Sequence, residues 1–187
     1  MTWPFGNLQM FGYDFIMADP AWTFETYSEK GHAKAPQAHY ECQSLDDIKA
    51  LPVGQLASRD CVLWLWACNP MLDQAFEVIK AWGFQFKTAG SWAKKTINGK
   101  YRWGPGYVLR TTNEPFLIAT TGNPQIKAIQ SGFDGLAREH SRKPDEAYEL
   151  AERMCPNARR LNMFTRETRP GWDGTGNEKT KFDEVAA

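Results

Sequence analysis

Seven successive residues, Cys61 to Ala67 (CVLWLWA), carry no charge and are nearly all apolar. A strand apolar at every position must be covered on both faces, as in sheets sandwiched between helices. The run therefore predicts a central strand of an α/β architecture. A second apolar run, Tyr13 to Ala18 (YDFIMA), ends at Asp19-Pro20, where proline stops the strand. Further strands are predicted at Phe84–Ala93, Pro115–Thr120 (PFLIAT) and Arg159–Thr165 (RRLNMFT). Ser44 caps a short helix, SLDDIKAL, with Asp47 at the capping-box position. Pro70 opens another, in which Leu72, Ala75, Phe76, Ile79 and Trp82 keep helical spacing until Gly83. Pro144 fits the first position of a third, running to about Met154, with Asp145 and Glu146 suiting its dipole. Between the first strand and the first helix, Thr23–Gln43 reads as a loop long enough to have a function. Strands alternating with helices imply a largely parallel central sheet flanked by helices. Ligands of such sheets lie beyond the C-terminal strand ends, and Asp19 and Arg166 both fall there, on the same rim.

The 187 residues suit one domain, expected over 1–178 with a flexible tail at 179–187. No apolar run approaches the roughly 20 residues needed to cross a bilayer, and the N-terminus lacks a signal-peptide pattern. The chain is expected to stay in the cytoplasm. Cysteines 42, 61, 68 and 155 and histidines 32, 39 and 140 form no zinc spacing, so reduced structural thiols and no metal are expected. The 22 basic and 22 acidic residues cancel, which counts against tight, solitary binding to nucleic acid. Their distribution is uneven. Between Val78 and Asn113 there is no Asp or Glu, while Lys80, Lys87, Lys94, Lys95, Lys100, Arg102 and Arg110 all fall there. Such a run is often a solvated face. The interleaved Trp92, Tyr101, Trp103 and Tyr107 suit phosphates and unstacked bases instead.

The sharpest local signal is Ala18-Asp19-Pro20-Ala21-Trp22. An amine conjugated to an aromatic ring is a poor nucleophile because its lone pair is delocalised. Acceptors for both of its N–H groups localise that pair, and Asp-Pro offers a carboxylate on Asp19 and a stiffly held carbonyl on Pro20. Trp22 would provide a flat wall against a base or a cofactor. Read blandly, the same residues make a turn that ends a strand.

This motif resembles the Asp-Pro-Pro-Trp signature of the MT-A70 adenine methyltransferases, and further segments follow in that family's order. Gly83-Phe84 with Trp92-Ala93-Lys94, then Glu114 with Thr121-Gly122-Asn123-Pro124, are similar to its middle segments. His140-Ser141-Arg142-Lys143-Pro144-Asp145-Glu146 resembles its His-Ser-x-Lys-Pro-Asp-Glu stretch. Met163-Phe164-Thr165-Arg166, and Gly171-Trp172 through Gly176-Asn177-Glu178, are similar to its closing segments. The resemblance spans residues 13 to 178 and implies a Rossmann-like fold that uses S-adenosylmethionine to methylate the N6 amine of adenine. At matching positions it implies that Asp19 holds the target amine near the cofactor and that Lys143 meets the cofactor's methionyl end or the base, with Ser141 close by. It further implies that Arg166 binds the ribose, that Asn177 and Glu178 contact ribose and adenine of the cofactor, and that Tyr40 gates the base pocket. Lys94, Lys95, Lys100 and Arg102 are the residues expected to bind substrate phosphates.

The chain departs from the family pattern at Ala21, where a second proline is usual, and at Asn162, where glutamate is frequent. It also lacks the Phe-x-Gly-x-Gly loop of restriction-system adenine methyltransferases, a separate target-recognition domain and zinc fingers. The pattern looks like the compact phage or bacterial members, which makes DNA the first expectation as substrate, with little sequence specificity, and a bacterial or phage-infected cell the setting. RNA comes second, an N4-cytosine methyltransferase third, and a non-catalytic nucleic-acid-binding scaffold last. Overall neutrality also suggests a homodimer or partner that extends the phosphate-binding surface.

Overall fold

The computed structural model describes residues 3–22, 43–139 and 142–183. In chain order they form β1 (Tyr13–Ala18), α1 (Leu45–Ala50), β2 (Ala57–Trp66), α2 (Leu72–Ala81), β3 (Gln85–Lys95), β4 (Asn113–Thr121), β5 (Gly132–Leu136), α3 (Asp145–Met154), β6 (Arg160–Met163) and β7 (Trp172–Thr175). The strands make a seven-stranded sheet in the order β5-β3-β4-β2-β1-β6-β7. The connections explain the directions. β1–β2, β1–β6, β6–β7 and β3–β5 all pair parallel: the β1–β2 connection carries α1, whereas β6 and β7 are joined by a short segment without a helix and β3 reaches β5 by way of β4. Residues 96–112 contain no helix, so β4 turns straight back, antiparallel to β3, and inserts between β3 and β2. The sheet is largely parallel, as the alternation predicts, with β4 reversed.

The CVLWLWA run is buried throughout, and its alternate residues serve two cores. Cys61, Leu63 and Leu65 pack with Ile48, Val78, Ile79 and Trp82 on the α1/α2 face. Val62, Trp64 and Trp66 pack with Phe116, Tyr148, Leu150 and Met154 on the α3 face. Trp64 stacks on Phe116 with centroids 3.9 Å apart. Each buried indole removes 150–250 Å² from water, worth about 4–6 kcal/mol before entropy is counted.

Several local expectations are adjusted. Ser44 caps α1, its hydroxyl accepting from the Asp47 N–H at 3.1 Å and donating to the Asp47 carboxylate at 2.6 Å. Pro70 lies within a 3-10 turn, Asn69–Met71, ahead of α2, whose buried residues are Ala75, Val78 and Ile79. Phe76 lies outside that face, 43% exposed, edge-on to Phe86. Pro144 is the N-cap of α3 in extended conformation, so Asp145 is its first residue. β6 ends at Met163 because Phe164 adopts φ +63° and turns the chain. Within the segment expected as a tail, the Phe182 N–H donates to the Arg166 carbonyl and the Asp183 carboxylate accepts from the Thr168 N–H.

β5 (GFDGL) and β7 (WDGT) lack an apolar signature and were not expected. Both are edge strands, and glycine in β5 serves packing. A Cβ on Gly135 would lie 2.8 Å from the Trp92 indole nitrogen, which donates to the Gly135 carbonyl at 2.9 Å. Gly90 in β3 is tighter still: its Cβ would lie 2.2 Å from the Ser131 carbonyl oxygen and 2.3 Å from the Phe116 ring. Gly90→Ala is expected to destabilise the fold by about 1–3 kcal/mol, the scale of overpacking. A lower urea midpoint at unchanged m-value checks this.

Candidate active site

Because β1, β2, β6 and β7 run the same way, their C-terminal ends share one rim, joined there by the end of β3 and the start of the reversed β4. Asp19 follows β1, Arg166 follows β6, and Asn177 and Glu178 follow β7. Lys94 is the last residue but one of β3 and Glu114 the second of β4. Lys143 comes from the segment before α3. Six separate stretches of chain thus converge on the rim.

At its centre Lys143 Nζ lies 2.7 Å from Asp19 Oδ2 and 2.6 Å from Glu114 Oε1, and Lys94 Nζ lies 2.6 Å from Glu114 Oε2. Two carboxylates and two ammonium groups balance in a cluster that solvent barely reaches. The side chains of Lys143, Glu114 and Asp19 are 8%, 14% and 20% exposed. Lys143 also lies over the Trp66 ring, and Lys94 over Trp92. Lys143 is no solvated helix-start lysine.

The two carboxylates are not equivalent. Burial would raise the Glu114 pKa, but Lys143 and Lys94 outweigh it and hold the group at about 2. Burial likewise raises Asp19, and there it prevails: Lys143 opposes it, but Glu114 adds its own repulsion, so Asp19 stands above the ordinary aspartate value. Burial would lower Lys143, yet Asp19 and Glu114 more than reverse that, so it stays protonated. Of the two carboxylates, Asp19 is the one that holds a proton more readily than usual.

The backbone beside Asp19 is fixed. The Pro20 carbonyl accepts the Trp22 N–H at 2.8 Å, leaving a second lone pair, and the Ala21 carbonyl accepts the Gln43 N–H at 3.1 Å. Trp22 does not stand as an open wall. It is buried in the core, and its indole donates to the Trp66 carbonyl at 3.1 Å, so it anchors the motif to β2.

Asp19 also lines a cavity of about 410 Å³ with Phe5, Phe164, Arg166, Asn177 and Glu178. This volume lies in the range of small-ligand sites. Arg166 pairs with Glu178 at 2.8 Å across its wall. The left-handed backbone of Phe164 places an uncommon conformation at that wall. Asn162 serves a different purpose: its amide donates to the Tyr148 and Thr165 hydroxyls at 2.9 Å each, beneath the loop that carries Arg166. Another groove, of about 530 Å³, lies at the opposite rim, by the N-terminal ends of β1, β2 and β6, around Asp14 and Cys155–Ala158. Its Asp14 already accepts from Ser58 and the Arg159 N–H, and Asp60 from the Asn123 N–H.

The cationic strip is only partly as expected. Lys94 is drawn into the buried cluster, and Lys95 pairs with Asp134 of β5 at 3.5 Å. Lys100 and Arg102 stand exposed. Tyr40 and Ser141, together with His140 and Cys42, lie outside the described residues. Glu114 joins the site although it is not among the residues expected there; its signal in the sequence is an acid immediately ahead of an apolar strand. Cys61, Cys68 and Cys155 are free thiols pushed up by burial, Cys68 to about 12, which fits structural roles. Among the described residues no His/Cys/Asp/Glu group has the arrangement of a metal site, and no helix is long and apolar enough to cross a membrane.

A largely parallel sheet with a small-ligand cavity and a buried carboxylate on one rim defines a Rossmann-like α/β protein. Within that class, the family model described as MT-A70 matches residues 13–178, and the chain belongs to this family. It is 30% identical over 172 residues to an N(6)-adenosine-methyltransferase MT-A70-like protein of Arabidopsis thaliana, covering 89% of this chain and 24% of that protein. Against the human N(6)-adenosine-methyltransferase catalytic subunit METTL3 the identity is 28%, over 87% of this chain and 27% of that one. Against the type II methyltransferase M.MunI of a Mycoplasma species it is 23%, over 89% of this chain and 77% of that one. The chain spans about a quarter of the length of the adenosine-methyltransferase relatives.

Proposed function

We propose that this chain transfers a methyl group from S-adenosylmethionine to the N6 amine of adenine in nucleic acid, with DNA the first substrate and little sequence specificity. The observation that carries the reading is that Asp19 belongs at once to the buried ion cluster and to the wall of the cavity. A group there faces both a bound cofactor and an incoming base. The chain aligns with 77% of the Mycoplasma type II methyltransferase as well as with the adenosine methyltransferases. The type II likeness is what puts DNA ahead of RNA.

The cavity's residues fit the cofactor. Asp19 would take its ammonium, Arg166, Asn177 and Glu178 its hydroxyl-bearing and adenine parts, and Phe5 and Phe164 its apolar faces. When bound, S-adenosylmethionine supplies an electrophilic methyl on a sulfonium centre. The residues act on the adenine amine. With the base out of its stack, Asp19 and the Pro20 carbonyl each accept one N–H, so that the nitrogen lone pair is freed from the ring. Lys143, held by Glu114, keeps the Asp19 carboxylate in place. Methyl transfer would exchange the methyl's C–S bond for a bond to N6 and leave S-adenosylhomocysteine, and Asp19, whose proton affinity burial raises, would take the proton that N6 sheds and pass it to solvent.

Tritiated methyl transfer to matched DNA and RNA oligonucleotides, with mass spectrometry of the nucleosides, tests this. The expected product is N6-methyladenine, in DNA more than RNA; N4-methylcytosine, or no transfer despite cofactor binding, would overturn it. Arg166→Ala is expected to weaken S-adenosylmethionine binding by about 1–3 kcal/mol, the scale of a lost charged hydrogen bond. Calorimetry showing wild-type affinity would remove Arg166 from the cofactor site.

A further inference from the structure

Between β3 and β4 the chain runs out as an arm, residues 96–112, whose base adjoins Lys94 and Glu114 of the ion cluster. It is internally braced. The Arg102 N–H donates to the Lys94 carbonyl at 2.7 Å, Gly104 to Thr111 at 2.7 Å, and Thr96 to Lys100 at 2.8 Å. A Cβ on Gly106 would lie 1.9 Å from the Leu109 carbonyl oxygen, so the tip is folded tightly on itself. On this frame Tyr101 and Trp103 are 55% and 60% exposed, although each ring carries a cation. Lys95 Nζ lies 3.7 Å from the Tyr101 centroid, and the Arg110 guanidinium 5.2 Å from that of Trp103. Among the described residues no carboxylate lies within ion-pair distance of Lys100, Arg102 or Arg110, and none occurs in the sequence from 78 to 113.

Exposed aromatic rings cost solvation, and unneutralised cations repel one another, so this arm is built for a partner. Ile97, Val108 and Leu109 at its edge would suit a protein, but the charge decides for a polyanion. We propose that the arm grips an unpaired stretch of nucleic acid beside the active site, with bases stacked on Tyr101 and Trp103 and phosphates on Lys100, Arg102 and Arg110. A flat ring can stack only on a base free of its own neighbours, so the arm favours single-stranded or locally opened substrate. Because the frame is braced, little ordering accompanies binding. This rests on the reading of the chain as an enzyme of nucleic acids, and it supplies what that reading lacks: a surface that holds the strand while the target base enters.

Fluorescence anisotropy with a labelled thymidine oligonucleotide separates the two ideas, because it needs stacking and phosphates but no adenine. The wild type is expected to bind it more tightly than a duplex of equal length. Trp103→Ala is expected to lose about tenfold in single-strand affinity, most of which Trp103→Phe restores. The double variant Lys100→Ala/Arg102→Ala is expected to flatten the slope of log affinity against log salt by about 1.4, at about 0.7 per phosphate contact. Circular dichroism and S-adenosylmethionine affinity are expected to stay at wild-type values in all three. No binding by the wild type, unchanged affinity in Trp103→Ala, or equal loss for duplex and single strand would each overturn the proposal. So would loss of self-association in sedimentation with nucleic-acid affinity intact, which would make the arm a protein interface. Failure of adenine methylation with these binding results intact would overturn the enzymatic reading and leave the arm standing.

Discussion

Asp19→Asn is expected to lower methyl transfer by roughly 10²–10³-fold while the protein stays folded. The variant keeps the shape of the side chain but removes the anionic acceptor, and half of its amide presents hydrogen where the target N–H needs a lone pair. Stability moves little, for a reason that lies in the sign of the pKa shift. In the folded protein Asp19 binds its proton more tightly than an ordinary aspartate, chiefly because it is buried. Its ionised form therefore costs stability at pH values above its folded pKa, and that cost fades as the pH falls through it. A neutral amide removes the cost along with the ion pair, and Lys143 retains Glu114. The same shift sets the rate profile of the wild type. Activity is expected to fall on acidification at a pH above the ordinary aspartate range, as Asp19 takes up a proton. Initial rates across pH check both points: near wild-type kcat in Asp19→Asn, or an acid limb at ordinary carboxylate values, would remove the carboxylate from the proposed role.

Lys143→Met is expected to have the largest effect on stability, on the order of 3–5 kcal/mol near neutral pH, as for a buried ion left without its partner. The substitution leaves Asp19 and Glu114 sharing Lys94 alone. One carboxyl then holds a proton more readily, so the variant is expected to recover stability relative to wild type as the pH falls below neutrality. In the wild type Glu114 acts in the opposite sense. Its Glu114 is held at about 2 against an ordinary 4.5, so the stability this confers is complete above 4.5 and is lost as the pH falls toward 2. Urea unfolding at several pH values distinguishes the two curves. A loss below about 1 kcal/mol at neutral pH would mean that the cluster is solvated like a surface ion pair.

Much of the fold was legible because local pattern and burial coincide. YDFIMA matched β1 residue for residue, and CVLWLWA had to be covered on both faces because no position in it tolerates water. With parallel strands established, Asp19 and Arg166 had to share a rim, since residues just past parallel strand ends always do. The motif order carried Lys143, Asn177 and Glu178 to the same place. Other features depended on partners remote in the chain. β5 and β7 hold because β3 and β6 offer edges to pair with, not because GFDGL or WDGT favours a strand. Lys94 read as one cation of an exposed strip until Glu114 was found at its ammonium, and Lys95 likewise until β5 brought Asp134 alongside. Trp22 read as a wall and proved to be an anchor, because the Trp66 carbonyl, 44 residues away, takes its N–H. Hydrophobic periodicity belongs to each segment and can be read from it. The pKa of Asp19, the protonation of Lys143 and the freedom of a lysine to meet phosphate are properties of distances between segments, and those arise only when the sheet closes.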